Sequence, residues 1–367
     1  MSLVRFAADY IRDVAVHDFH NDRRHPSFIN FSVSNRCNAK CVMCDIWRYK
    51  SQDATGNELQ GIFTNPYLHK IRDFGITGGE PFIRADITNV IEQAITNIPN
   101  LRQIAITTNG FNTERIKATL PKMIDLVRPK SIKLLITVSV DGLGETHNQS
   151  RGVPNVWDKV KCTLDYIQKL KDPEISLSTA CTISRVNANI EQLQNLDTYM
   201  KENKIPIIYR LAVYVSRIYN NELMKVWGIS PETPEARAVT TFLKEVVSSS
   251  RYSGRSEFYN FIIAYLSGHY NIDTIPDNIR PRCKEQYDGG MLDSNGDLYV
   301  CSVSGQKIGN VLTDQIEPAQ IRAARKLVRE KHCKSCMHDH AIHPRLQTLA
   351  TALSERMGFR ATKKGKI

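Results

Sequence analysis

Cys37, Cys41 and Cys44 stand at C-x3-C-x2-C spacing directly after a β-rich run. On one loop, their thiolates can face a single small volume. Soft thiolate ligands select zinc, Cu(I) or iron–sulfur clusters. A structural zinc site wants four ligands, whereas a 4Fe–4S cube held by three cysteines keeps one iron open for chemistry. From spacing alone, a zinc loop and a cluster loop both stay open. A second set, Cys283, Cys301, Cys333 and Cys336, has a Ser-Asn-Gly-Asp turn between its first two members and ends in a C-x2-C pair. Four thiolates can close a cluster completely, which suits electron transfer, or can make a structural zinc site. The chain has nine cysteines, an odd number, and no basic-then-apolar leader is read at its N-terminus. A disulfide framework is therefore not expected.

The elements that must position these thiols are legible around them. Strand-like runs at Phe28–Ser34, Asp73–Thr77, Leu101–Thr107, Ile132–Ser139, Ile175–Ile183 and Pro206–Val215 alternate with helical patterns. Those patterns cover Glu58–Arg72, Ala85–Ile98, Thr113–Val127, Val156–Leu170 and Ile190–Asn203. Such alternation predicts successive βα units and a parallel sheet. Pro234–Ser248 and Arg255–Gly268 read as further helices, and short β runs with Gly turns follow, Leu298–Val303 among them.

The motifs resemble those of the radical SAM superfamily. The cysteine loop, Gly78-Gly-Glu-Pro81, Thr108-Asn-Gly110, Ser139-Val-Asp-Gly142, then His147 and Arg151-Gly152, follow consecutive strands in the family's order. The second cysteine set resembles the auxiliary-cluster domain called twitch, a shortened form of SPASM. The resemblance implies an α/β fold: a partial (β/α)6 TIM-like barrel over 28–215 and a small C-terminal hairpin and helix cluster domain over 283–343. An extension (1–27), a helical bridge (216–282) and a helix with a basic tail (344–367) complete the organisation. It also implies S-adenosylmethionine and two 4Fe–4S clusters as cofactors, and a flavodoxin or ferredoxin as electron donor. In the resemblance, Gly78, Gly79, Glu80 and Pro81 approach the methionine amino group. Asn109, Ser139 and Asp141 reach the ribose and carboxylate, and Arg151 pairs with the carboxylate. Met43 takes an adenine-packing position that is usually aromatic in the family.

Side-chain parity assigns other candidates. With Ser139 facing inward, Leu135 and Thr137 do too, and Leu134, Ile136 and Val138 face helices. On the fifth strand Ser176, Ser178, Ala180 and Thr182 share one face, and Cys181 falls on the helix side. Cys162 is expected at a helix periphery. Arg210 and Tyr214 are candidate inward groups, and Asp288 and Asp293 candidate bases, although hairpin aspartates are usually turn formers. His338, His340 and His343 read as a solvated loop or as extra ligands.

The net charge is +11 and the basic residues are dispersed, with no nucleic-acid module. An anionic cofactor or substrate fits that surface. No apolar run is long enough to span a membrane, so a cytoplasmic protein without membrane partners is expected. The expected activity is oxidation or epimerisation of a small sugar or cyclitol-like molecule. Crosslinking or epimerisation of a ribosomally made peptide is the alternative, disfavoured by the short stretch before the barrel. A zinc-binding scaffold or RNA-binding protein is a distant one.

Overall fold

Alternation of large apolar with small or polar side chains decides which face of each strand meets the helices. In β1 (Phe28–Ser32), Phe31 packs edge-on to Phe63, and Asn30 and Ser32 take the other face. β2 (Asp73–Thr77) buries Phe74 and Ile76, β3 (Gln103–Thr108) buries Ile104 and Ile106, and β4 (Lys133–Ser139) buries Leu134, Ile136 and Val138. Their opposite faces offer Gly75, Thr77, Ala105, Thr107, Thr137 and Ser139, which leave the concave side open. With β5 (Ile175–Ile183) and β6 (Ile207–Leu211), the strands pair in parallel in chain order. The sheet is not closed, so the α/β fold is a partial TIM-like barrel. This computed structural model describes residues 25–50, 52–218, 220–249, 255–271, 274, 282–338 and 342–343. Most of the expected N-terminal extension, and the C-terminal helix and tail from residue 344, lie outside the described residues.

The crossover helices are α1 (Gly56–Thr64), α2 (Ile87–Asn97), α3 (Thr113–Val127), α4 (Glu145–Arg151), α5 (Trp157–Leu170) and α6 (Ile190–Glu202). α1 stops at Thr64, short of the expected Arg72. Asn65-Pro66 follows, and a residue before proline is pushed out of the helical region. Asn65 is extended (φ −61°, ψ 126°), and its side chain accepts from the Tyr67 N–H at 2.9 Å.

Beyond β6 come α7 (Asn221–Trp227), α8 (Ala236–Ser248) and α9 (Ser256–Leu266). α8 and α9 cover the outside of β6. Tyr209 stacks edge-on to Phe242 at 4.8 Å, and its N–H donates to Tyr259 Oη at 3.2 Å.

The C-terminal segment begins with β7 (Arg282–Cys283), then β8 (Met291–Asp293), β9 (Asp297–Tyr299) and β10 (Lys307–Asn310). The last three do not stand apart as a separate sheet. They extend the barrel sheet from its β1 edge, in order β10-β9-β8-β1, with Ser32 paired to Asp293. The Asp-Gly-Gly turn makes this docking possible. Gly289 has φ 73°, and a Cβ there would lie 2.1 Å from the Phe28 ring. α10 (Pro318–Lys331) closes over the junction, its buried Arg325 donating to the Gly289 carbonyl at 3.1 Å. β11 (Ile342–His343) pairs with β7. After β6 the chain crosses to this hairpin: the Ser216 N–H donates to the Val303 carbonyl at 2.9 Å, and Arg217 pairs with Asp293 at 2.7 Å.

Candidate cluster site and barrel lumen

The first cysteine loop is held from two sides by main chain. On one side the Gly79 N–H donates to the Ser34 carbonyl at 2.7 Å and the Glu80 N–H to the Arg36 carbonyl at 2.8 Å. A Cβ on Gly79 would sit 2.0 Å from the Arg36 oxygen, and one on Gly78 2.4 Å from the Ser34 oxygen. Both glycines therefore serve contact with the cysteine loop itself. On the other side Lys40 N–H donates to the Arg151 carbonyl at 3.0 Å and Val42 N–H to the Ser150 carbonyl at 3.1 Å. Gly152, at φ 63°, has room for no Cβ because the Lys40 oxygen would be 2.1 Å away. The loop is thus preformed by motifs that lie far apart in sequence.

Glu80 and Asp141 are buried clamps. Glu80 accepts from Thr108 Oγ1 (2.7 Å), Asn109 N–H (2.7 Å) and Phe82 N–H (3.0 Å), tying the ends of β2 and β3 together. Pro81 opens the short turn that follows and is itself buried. Asp141 accepts from Arg151 Nη2 (2.9 Å) and Thr182 N–H (2.9 Å) on one oxygen and from Ser150 Oγ (2.8 Å) on the other. Its N–H donates to His147 Nδ1 at 3.2 Å. At 1% exposure and with donors on both oxygens, Asp141 is placed to hold Arg151 and the end of β5. Burial pushes the His147 imidazole well below its ordinary value, keeping it the neutral acceptor this geometry needs. Asp141→Ala would leave a guanidinium, a hydroxyl and an N–H unpaired in a dry site. The expected cost is about 3–5 kcal/mol, read from urea unfolding; a loss well below that range would show that water already compensates the cluster.

Arg151 Nη1 lies 3.7 Å from Cys41 Sγ. Burial raises all three loop thiols, Cys37 to about 11 and Cys44 to about 12, and Arg151 opposes the rise for each. A metal or cluster held by these sulfurs would have to displace the thiol protons. Asn109 accepts from the Phe111 N–H (3.0 Å) and donates to Asn38 Oδ1 (2.7 Å), its amide 4.0 Å from Cys37 Sγ. Met43 is buried, and its carbonyl accepts from Asn220 Nδ2 at 3.0 Å. Ser139 is half-buried on the luminal face, and among the described residues its hydroxyl has no hydrogen bond.

The lumen has a row of hydroxyls. Ser32 pairs with Thr77, and Thr107 with Thr137, which pairs in turn with Ser178. The Ile76–Ile106 pairing sets Thr77 beside Thr107. Thr137 and Ser178 hydroxyls are 2.9 Å apart, and among the described residues buried Ser32 Oγ has no hydrogen-bond partner. Asp293, paired to Ser32, continues the row at the β1 edge. Burial raises its carboxyl, against the pull of Arg217. Arg210 is half-buried opposite Thr182. Tyr214 is 45% exposed and lines a cavity outside this row. Asp288, by contrast, is buried against Ser27, accepting from its N–H and hydroxyl and from Gly289 N–H, a turn-forming role. Cys181 is fully buried in the helix-side core and Cys162 is exposed.

Cys283, Cys301, Cys333 and Cys336 all line one cavity of about 790 Å³, between the end of β6, the helical bridge and α10. Burial, Glu285 and the other three thiols all push the Cys283 thiol up. Glu285 is buried beside them and accepts from Ser302 N–H (2.9 Å) and Oγ (2.6 Å). His338 lines the same cavity; His340 lies outside the described residues, and His343 is described only through the β11 backbone. No group of three or more His, Cys, Asp or Glu side chains among the described residues could hold a single metal ion.

Motif reading missed several positioning residues. Asn187 donates to the Asp141 carbonyl (2.7 Å) and the Thr182 carbonyl (3.0 Å). Buried Arg84 binds the Val33 carbonyl (2.7 Å) and the Ala54 carbonyl, bracing the loop's far side. Asn38 and Asn220 belong with them. Their partners are distant in sequence, so no local pattern marks them.

Residues 31–194 match the family model of the radical SAM superfamily. Among curated relatives, GTP 3',8-cyclase of Haemophilus influenzae is 27% identical over 172 residues, 41% of this chain and 48% of that protein. Molybdenum cofactor biosynthesis protein moc-5 of Caenorhabditis elegans is 26% identical over 157 residues, 40% of this chain and 25% of that one. This chain therefore spans half or less of the length of these relatives. Native anSMEcpe with bound AdoMet and Kp18Cys peptide shares the fold at TM-score 0.56 and 17% identity, covering 85% of this chain and 84% of that one. Streptococcus suis SuiB bound to S-adenosylmethionine does so at TM-score 0.54 and 16% identity, covering 89% and 72%. With the cysteine loop, its two main-chain clamps and the parallel strands β2 to β5 all inside the matched segment, the chain carries a radical SAM domain.

Proposed function

We propose that this chain is a radical SAM enzyme acting on a small polyhydroxylated molecule: a sugar, a cyclitol or the sugar of a nucleotide. The single observation that carries the reading is the Cys37–Cys41–Cys44 loop, preformed by the Gly78–Glu80 and Ser150–Gly152 main chain at the mouth of an open barrel. Cys37, Cys41 and Cys44 would hold a 4Fe–4S cluster, and Ser139, with its free luminal hydroxyl, would contact S-adenosylmethionine. When bound, that pair supplies an electron and, on reductive cleavage, a 5'-deoxyadenosyl radical able to take a hydrogen atom from substrate.

The chain's own residues do the remaining work. The row Ser32, Thr77, Thr107, Thr137 and Ser178 gives neutral donors and acceptors in a lumen with few large side chains, which suits hydroxyl groups. Asp293, its carboxyl raised and held by Arg217, is placed to accept a proton as a substrate radical is oxidised. The four C-terminal thiols would hold a second cluster, which would supply an acceptor for that electron. For the first set, three thiolates suit a cluster with one open iron better than a four-ligand structural zinc site. A GTP 3',8-cyclase among the relatives supports a small-molecule substrate. The fold shared with a peptide-bound structure over most of both chains supports the second reading, a peptide maturase. We place the enzyme in the cytoplasm, with flavodoxin or ferredoxin as electron donor; among the described residues no helix is long and apolar enough to cross a membrane.

The test is anaerobic reconstitution, then reduction with S-adenosylmethionine present. The expected products are methionine and 5'-deoxyadenosine. A colourless protein that binds zinc and forms neither product would overturn the proposal. Mass shifts in candidate sugars, nucleotides and peptides then separate the two substrate readings.

A further inference from the structure

Arg151 is more confined than a cofactor-binding side chain needs to be. Its carbonyl accepts from the Lys40 N–H at 3.0 Å, and the next residue, Gly152, abuts the Lys40 carbonyl. Its backbone therefore cannot recede from the cysteine loop. Its side chain is fixed at the other end: Nη2 donates to Asp141 Oδ1 at 2.9 Å, and that carboxylate is locked by Ser150 and Thr182. Between these anchors, Nη1 points at Cys41 Sγ, 3.7 Å away. The guanidinium is 10% exposed, so water screens its charge little.

We propose that Arg151 sets the reduction potential of the cluster on the Cys37 loop, with Asp141 as the residue that positions it. The inference rests on the proposed function, since it needs that cluster. One electron converts the oxidised cluster to the reduced one and adds one negative charge to the cube and its thiolates. An N–H donor on a ligand sulfur and a fixed positive charge beside it both stabilise the more negative state. Asp141 cancels part of that charge at longer range while keeping the fork aimed at the sulfur. Removing Arg151 and neutralising Asp141 should therefore shift the potential in opposite directions. A guanidinium whose task was only to pair with the carboxylate of S-adenosylmethionine would leave the cluster alone unaffected.

The experiment is a redox titration of the reconstituted full-length protein without S-adenosylmethionine. It is followed by the electron paramagnetic resonance signal of the reduced cluster, with the second cysteine set changed to serine so that one cluster is seen. At the wild-type midpoint, Arg151→Gln is expected to lower the reduced-to-oxidised ratio about tenfold, which is about 59 mV for one electron. Arg151→Lys keeps the charge but loses the fork and should fall between. Asp141→Asn, which keeps an acceptor oxygen for Nη2, is expected to raise the ratio about threefold. An unchanged midpoint in Arg151→Gln together with weaker S-adenosylmethionine binding overturns the proposal. If that variant does not take up cluster, Arg151→Lys and Asp141→Asn decide, and midpoints of both equal to wild type overturn it. Failure of the wild-type loop to assemble any cluster would instead defeat the proposed function, and this inference with it.

Discussion

Gly79→Ala is expected to empty the Cys37 loop of its cluster while leaving the barrel folded. The added Cβ would lie 2.0 Å from the Arg36 oxygen, and both atoms belong to main chain, so no side-chain rotation relieves the overlap. The loop must retreat by about an ångström or more to reach van der Waals contact. That breaks the Gly79–Ser34 and Glu80–Arg36 hydrogen bonds of 2.7 and 2.8 Å. Cys37 follows Arg36 directly, so its sulfur moves with the loop. Cluster ligands tolerate displacements of only about 0.5 Å. Loop-bound iron should fall below about a tenth of wild type, and 5'-deoxyadenosine formation should drop about 100-fold or more. Gly56 provides the control. Its φ is left-handed, 49°, unlike that of Gly79, and a Cβ there meets nothing within 4 Å. Gly56→Asn should load normally, since asparagine tolerates that conformation. Full loading of Gly79→Ala would mean that the loop docks differently once the cluster is in place.

The second large effect concerns the C-terminal thiols. Cys333→Ser with Cys336→Ser is expected to halve anaerobic iron and sulfide content, from about eight irons per chain to about four, as expected for one cube lost of two. Cleavage of S-adenosylmethionine should persist within about threefold, because it needs only the first cluster. Substrate oxidation should fall by about 100-fold or more, because the substrate-derived electron has lost its acceptor. Iron near four per chain in the wild type, with zinc near one, would remove the second cluster from the proposal and leave the first intact.

Much of the fold was legible because one face of each strand is buried. The alternation in β2 to β5 marks the helix side residue by residue, and it placed Cys181 in the helix layer correctly. Element ends were read less well where local breakers overrule periodicity: Asn65-Pro66 cuts α1 short of Arg72. The attachment of β8 to the β1 edge was not legible. It depends on Gly289 meeting the Phe28 ring, a contact between residues far apart in the chain. At the site, sequence motifs named residues that the fold brings together and left their partners open. Gly78 and Gly79 touch the cysteine loop, and Asp141, read as reaching a ribose, has both oxygens committed to Arg151, Ser150 and Thr182.

By itself, the sequence determined the grouping of the thiols, the strand-helix order and the face each strand presents, since these follow from side-chain type, spacing and a period of two or 3.6 residues. The tertiary structure alone decided that the GGEP and Arg-Gly segments clamp one loop, that Arg151 is aimed at Cys41, and that five hydroxyls align across the lumen. Those are long-range facts, fixed by strand register and main-chain contact between segments that share no local pattern.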